Sequence, residues 1–194
     1  MKDWVKPFLI QRMKEALDED EELYPDREKI MDGRKKELED EDAVYYELTY
    51  YFNVDFGGGL GWPIDHMITA FGSVLADLSK NTFEKLSAIK NLYFVFAPYP
   101  GAEVKMFRLE RDTKAKSWLR IVTFPFDNAF MLYDALKGEI AHELAHIYQE
   151  LDSPKVRNEI EDEADEIAVS WGFEKEIKEF RDYEKKNWEP KPNY

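Results

Sequence analysis

The chain contains no cysteine, which removes a disulfide framework, a thiol nucleophile and any thiolate metal site. Histidine is almost as scarce, with three among 194 residues. No apolar run approaches the roughly 20 residues of a membrane-spanning helix, and the first residues show neither the apolar core nor the cleavage pattern of a signal peptide. The expectation is a soluble, cytoplasmic protein with no membrane partner. Basic residues are also few, 27 against 41 acids, and the resulting net charge of −14 disfavours attraction to nucleic acid or an anionic surface. What remains is 44% hydrophobic, enough for one sizeable core. Oligomeric state is not legible from these numbers.

Two of the three histidines stand in His142-Glu143-Leu144-Ala145-His146, an HExxH motif. Helical residues four apart lie one above the other, so two imidazoles can reach one ion from a rigid support, and the glutamate beside the first can hold a water. Ile140, Leu144, Ile147, Tyr148 and Leu151 form the apolar stripe of this helix at about 100° per residue, with His142 and His146 almost opposite. A satisfied core histidine belongs inside that stripe, which favours a metal site. His66, alone on another helical segment, reads instead as a structural or surface residue.

A second helix follows closely. Ser153-Pro154 is a good N-terminal signal and Trp171-Gly172 a good stop, and the short link makes this helix fold back beside the first. There it can offer the third ligand of a catalytic zinc site. Acids crowd residues 159–166. Measured from Ile160, Glu161 lies about 100° round and Asp165 about 140°, on the flank next to Ala164 and Ala168. Asp162, Glu166, Glu159 and Glu163 fall on the far, solvated side, with Glu163 bordering the stripe from the opposite edge.

His142-Glu143-x-x-His146 followed by Glu161-x-x-Ala164-Asp165 resembles the gluzincin zinc peptidases, over about residues 119–173, and the compact spacing is similar to that of minigluzincins. The resemblance implies Zn2+ held by His142, His146 and Glu161, with Glu143 as general base and Asp165 orienting a ligand histidine. It also implies a Tyr, His or Arg donor for the oxyanion. Tyr148, Arg157, Arg181 and Tyr183 are all open candidates. The expected function is a zinc-dependent metallopeptidase acting on a peptide or protein substrate. The alternatives are a non-peptidase zinc hydrolase or an inactive regulatory protein of the same fold.

The rest of the chain sets the expected architecture. Residues 4–17 and 26–41 read as helices, 44–54 as either strand or helix, and 64–89 as mainly helical. Gly57-Gly58-Gly59-Leu60-Gly61 lacks the lysine and the strand-to-helix context of a phosphate loop and reads as a plain loop. Residues 91–97, 103–110 and 118–124 read as strands whose short connections suggest an antiparallel meander. The expected fold class is α+β: a small antiparallel sheet packed on a backing helix, an HExxH helix and a glutamate helix, in a zincin-like arrangement. One domain is expected over 1–194, with 1–60 an N-terminal helical appendage and 174–194 a C-terminal tail. That tail reads as a helix and a loose terminus, or more sharply as a segment covering the cleft.

Overall fold

The computed structural model describes residues 1–19, 24–52, 54–55, 63–89, 92–97, 103–108, 118–125, 131–150 and 157–188. Among them the order is α1 (Val5–Glu19), α2 (Arg27–Glu37), α3 (Glu41–Tyr51), β1 (Val54–Asp55), α4 (Pro63–Asp77), α5 (Lys80–Ser87), β2 (Leu92–Ala97), β3 (Glu103–Arg108), β4 (Trp118–Pro125), α6 (Tyr133–Glu150), α7 (Arg157–Ser170) and α8 (Glu174–Trp188). None of these helices is long and apolar enough to cross a membrane. The glycine-rich stretch and the last six residues lie outside the described residues, and with them the expected loop and the expected cleft-covering segment.

Local chemistry marks several boundaries. Asp40 caps α3 by accepting from the Asp42 backbone N–H at 3.0 Å, and Ser79 caps α5 by accepting from that of Thr82 at 3.1 Å. Two residues beyond the end of α7 stands Gly172, whose φ of 105° is one that side chains rarely adopt. The Gly172 N–H then donates to Val169 C=O and the Phe173 N–H to Ala168 C=O, the paired bonds that close a helix and turn the chain into α8.

The apolar residues form one continuous core that includes Val5 and Leu9 of α1 and Val44 and Leu48 of α3. Phe83 of α5 anchors that end, with the rings of Trp4, Phe8 and Phe52 at 4.7, 5.1 and 5.1 Å. The Tyr-rich segment, open between strand and helix in the sequence, is the helix α3. His66 sits beside Tyr133 and within 3.3 Å of Met131 C=O, a structural placement.

The expected α+β fold on a small antiparallel sheet is overturned. Helices dominate the described residues, and the four-stranded sheet is mixed, in the order β1-β2-β4-β3. Only β3 and β4 pair antiparallel; β2 runs parallel to β4, and β1 parallel to β2. The meander reading took short connections as a sign of adjacent strands. A short connection does not require adjacency, because β4 lies between β2 and β3 and strands one apart are separated by only about 10 Å, two spacings of about 4.8 Å. The buried face of the sheet, with Phe94 and Phe124, meets Phe71 of α4 at ring distances of 4.8 and 6.3 Å.

Helix α6 is central. Ile140, Leu144 and Ile147 are fully buried as the stripe predicts, but so are Ala141 and Ala145, and His142 and Glu143 are nearly so. The face opposite the stripe is covered because α7 and α8 pack on it. At Gly138 an added Cβ would lie 2.1 Å from the Glu176 carbonyl oxygen, so the α6 and α8 backbones touch there. Phe173, Ile177 and Phe180 belong to the core, which makes residues 174–188 a packed element of the fold.

Candidate metal centre

The two histidines of α6 and one acid of α7 converge on a point. His142 Nε2 lies 2.9 Å from His146 Nε2 and 3.1 Å from Glu161 Oε2, and His146 Nε2 lies 3.5 Å from the same carboxylate oxygen. A tetrahedral ion with ligand bonds of about 2.0–2.1 Å holds its ligand atoms roughly 3.3 Å apart. The observed triangle brackets that separation. Among the described residues this is the one group of three or more His, Asp or Glu side chains that could hold a metal ion.

The other nitrogen of each ring explains why these three atoms need a cation. His142 Nδ1 lies 2.8 Å from Asp165 Oδ1, a carboxylate that only accepts, so Nδ1 carries the proton. His146 Nδ1 faces Gln149 Oε1 at 3.0 Å. The amide of Gln149 is oriented in turn, because its Nε2 donates to Ile160 C=O at 3.0 Å and to Glu163 Oε2 at 3.2 Å. With both Nδ1 atoms acting as donors, each neutral ring presents its Nε2 lone pair. Two such lone pairs and a carboxylate oxygen then repel one another unless a positive charge sits between them. Two imidazole nitrogens and one carboxylate suit zinc.

Without a metal the positive charge is a proton. Burial opposes a charged His142, but its hydrogen bonds to Asp165 and Glu161, helped by the Glu143 charge, outweigh that and raise it to about 9. Burial and the neighbouring His142 lower His146. The hydrogen bond from His142 holds Glu161 down at about 2 against its partial burial. Glu143 is the reverse case: burial pushes its carboxyl up to about 7, within reach of neutral pH in both directions.

A second tier of contacts supports the first. Arg181 of α8 grips Asp165 with two parallel bonds, Nε to Oδ2 at 2.7 Å and Nη2 to Oδ1 at 2.8 Å. Its Nη1 reaches Glu184, and its guanidinium lies over the Phe180 ring. The line His142, Asp165, Arg181, Glu184 therefore joins α6, α7 and α8. Exposure is graded across the site: the His142 side chain is 4% exposed and that of Glu161 54%, so the centre opens to solvent at the glutamate.

The structure thus places His142, His146, Glu161, Asp165 and Glu143 together. Glu163, the competing acid, sits on Gln149 and not among the three converging atoms. Of the oxyanion candidates, Arg181 is engaged by Asp165 and Glu184. The Tyr148 hydroxyl accepts from Lys85 at 3.0 Å, with its ring against Trp171. Tyr183 is partly buried against the core, and the side chain of Arg157 lies outside the described residues. Gln149 was missed in the sequence, although its place three residues after His146 puts it on the same helical face. The grip of Arg181 on Asp165 had no local signal, since α8 is brought there by tertiary packing. Comparison of the chain with family models, curated proteins and solved structures finds no match.

Proposed function

We propose that this chain is a zinc-dependent peptidase of the gluzincin type, with His142, His146 and Glu161 holding the metal. The observation that carries the reading is the convergence of His142 Nε2, His146 Nε2 and Glu161 Oε2 within 2.9–3.5 Å, with each Nδ1 already engaged. Three protein ligands leave a fourth position open, as catalytic zinc sites do and structural ones do not. Zinc, when bound, supplies a Lewis acid that brings the pKa of water towards about 7 and polarises a carbonyl.

The chain's own residues supply the rest. Glu143 takes a proton from the water as its oxygen bonds to the scissile carbonyl carbon. When the carbon–nitrogen bond breaks, Glu143 returns that proton to the departing amine, a role that suits a carboxyl raised to about 7 by burial. Asp165 holds the His142 ring in the tautomer that leaves Nε2 free, and Arg181 holds Asp165. Glu161, the exposed member of the three, sets the side from which solvent and substrate reach the centre.

The test is metal analysis of protein purified without added zinc, followed by cleavage of a peptide library by the wild type and by Glu143→Gln. The expected result is about one zinc per chain in both proteins, with cleavage only in the wild type. A wild type that holds no zinc after reconstitution overturns the reading. A zinc-loaded wild type that cleaves no peptide in the library moves the assignment to a hydrolase of another bond.

A further inference from the structure

We infer that Gln149 is a positioning residue that assembles two of the three converging groups, fixing the His146 ring directly and the place of Glu161 through the α7 backbone. The inference rests on the metal-site reading above for its consequence, and on hydrogen bonding alone for its geometry.

Gln149 is the penultimate residue of α6, and its amide spans the gap to α7. One end accepts from His146 Nδ1 at 3.0 Å. The other end donates to Ile160 C=O at 3.0 Å and to the Glu163 carboxylate at 3.2 Å. Both partners on α7 are pure acceptors, so the amide has one workable orientation. Turned over, its oxygen would face a carbonyl and a carboxylate while its NH2 met His146. The amide therefore transmits a constraint: α7 sets Gln149, and Gln149, together with the His142 Nε2 that faces His146 Nε2 at 2.9 Å, sets the tautomer of His146.

The constraint also runs the other way. Ile160 and Glu163 flank Glu161 in sequence, so the two bonds from Gln149 tie the first turns of α7 to α6 on either side of the ligand glutamate. Asp165 makes the second such tie, through His142. The two histidines are supported differently. His142 is backed by a carboxylate held by Arg181, and His146 by a neutral amide held by α7.

The experiment uses full-length wild type, Gln149→Met and Gln149→Glu. Methionine keeps the length and loses every hydrogen bond. Glutamate keeps an oxygen facing His146 but loses both donations to α7. Proton–nitrogen NMR of the metal-free proteins reads the His146 tautomer, and competition with a chelator reads zinc affinity. The inference expects His146 with its proton on Nδ1 in the wild type and in Gln149→Glu, and a shift away from that tautomer in Gln149→Met. Zinc affinity should fall by about 10–100-fold in Gln149→Met, and it should fall in Gln149→Glu as well because α7 loses the two bonds from Gln149 that flank Glu161. A wild-type tautomer with the proton on Nε2, or an unchanged tautomer and affinity in Gln149→Met, overturns it. A contribution to folding alone would lower thermal stability and leave the tautomer where it is. If the wild type binds no zinc, the function proposed above fails, while the tautomer comparison still decides the role of Gln149.

Discussion

Arg181 and Asp165 form a two-pronged ion pair between α8 and α7, at 2.7 and 2.8 Å, and the same carboxylate receives the His142 ring. The pair is half-buried, with side-chain exposures of 28% and 24%. Arg181→Met would leave Asp165 without its fork, at an expected cost of about 1–3 kcal/mol, below the fully buried range because solvent screens part of it. Arg181→Lys should recover little, since an ammonium cannot offer two parallel donors. Urea denaturation measures the first effect. Zinc competition measures the second, an expected loss of roughly tenfold or more from a loosened His142. Equal stability and zinc affinity in Arg181→Met and wild type would show that α8 does not support the centre.

Glu161 and Glu163 separate the metal from its scaffold. Glu161→Ala removes one of the three converging atoms and should abolish stoichiometric zinc. Glu163→Ala removes a partner of Gln149 and should leave about one zinc per chain, held more weakly. Elemental analysis of the two variants beside the wild type reads both. Zinc lost from Glu163→Ala and kept by Glu161→Ala would reverse the assignment.

Which side chains share a helical face was more legible in the sequence than the fold, and the reason is range. The helical period acts over one or two turns, so it puts His142 and His146 on one face and Glu161 and Asp165 on another without knowledge of any neighbour. The structure brings both acids to His142. Strand segments were legible for the same reason, with β2, β3 and β4 close to their expected places. Strand partners were not, because pairing order is decided by which edge is free, and the two-residue β1 has no periodicity to read. The burial of α6 on its histidine face was hidden too. It depends on α8, and the charged sequence of α8 conceals the inward-facing Ile177 and Phe180. Gln149 and Arg181 became visible only once three helices were in place.

Proton linkage gives the metal-free protein a distinctive pH profile. His142, raised to about 9, stabilises the fold fully below its ordinary value of about 6.5, and that contribution is lost as pH climbs through 9. Glu143, lifted to about 7 by burial, adds a loss in the same direction between about 4.5 and 7. Glu161, held at about 2 by the His142 hydrogen bond, contributes above its ordinary range and is lost as pH falls towards 2. Stability should therefore peak near pH 4.5 and fall on the alkaline side, with Glu143 and then His142 each contributing a loss on the order of 3 kcal/mol. Zinc should remove most of that alkaline loss, because a metal on Nε2 replaces the proton. Urea titrations from pH 5 to 9, with and without zinc, test this. A metal-free profile that is flat from pH 6 to 9 would contradict it.

Two glycines in helices should respond to alanine with opposite signs. Gly33 lies inside α2 with nothing within 4 Å of an added Cβ, so Gly33→Ala should stabilise by about 0.5–1 kcal/mol through helix propensity and a stiffer unfolded chain. Gly138 lies inside α6, where the same propensity gain applies, but the new methyl would stand 2.1 Å from the Glu176 carbonyl oxygen and 2.9 Å from Phe180 Cβ. The carbonyl belongs to the α8 backbone and cannot swing aside as a flexible side chain would. The helices must separate, at an expected net cost of about 1–3 kcal/mol, with more if α8 undocks. Arg181 rides on α8, so the separation should also weaken zinc binding, an effect that Gly33→Ala should not share. Chemical denaturation and zinc competition on the two variants distinguish the outcomes. A Gly138→Ala protein as stable as Gly33→Ala would mean that α8 is not seated against α6 in solution.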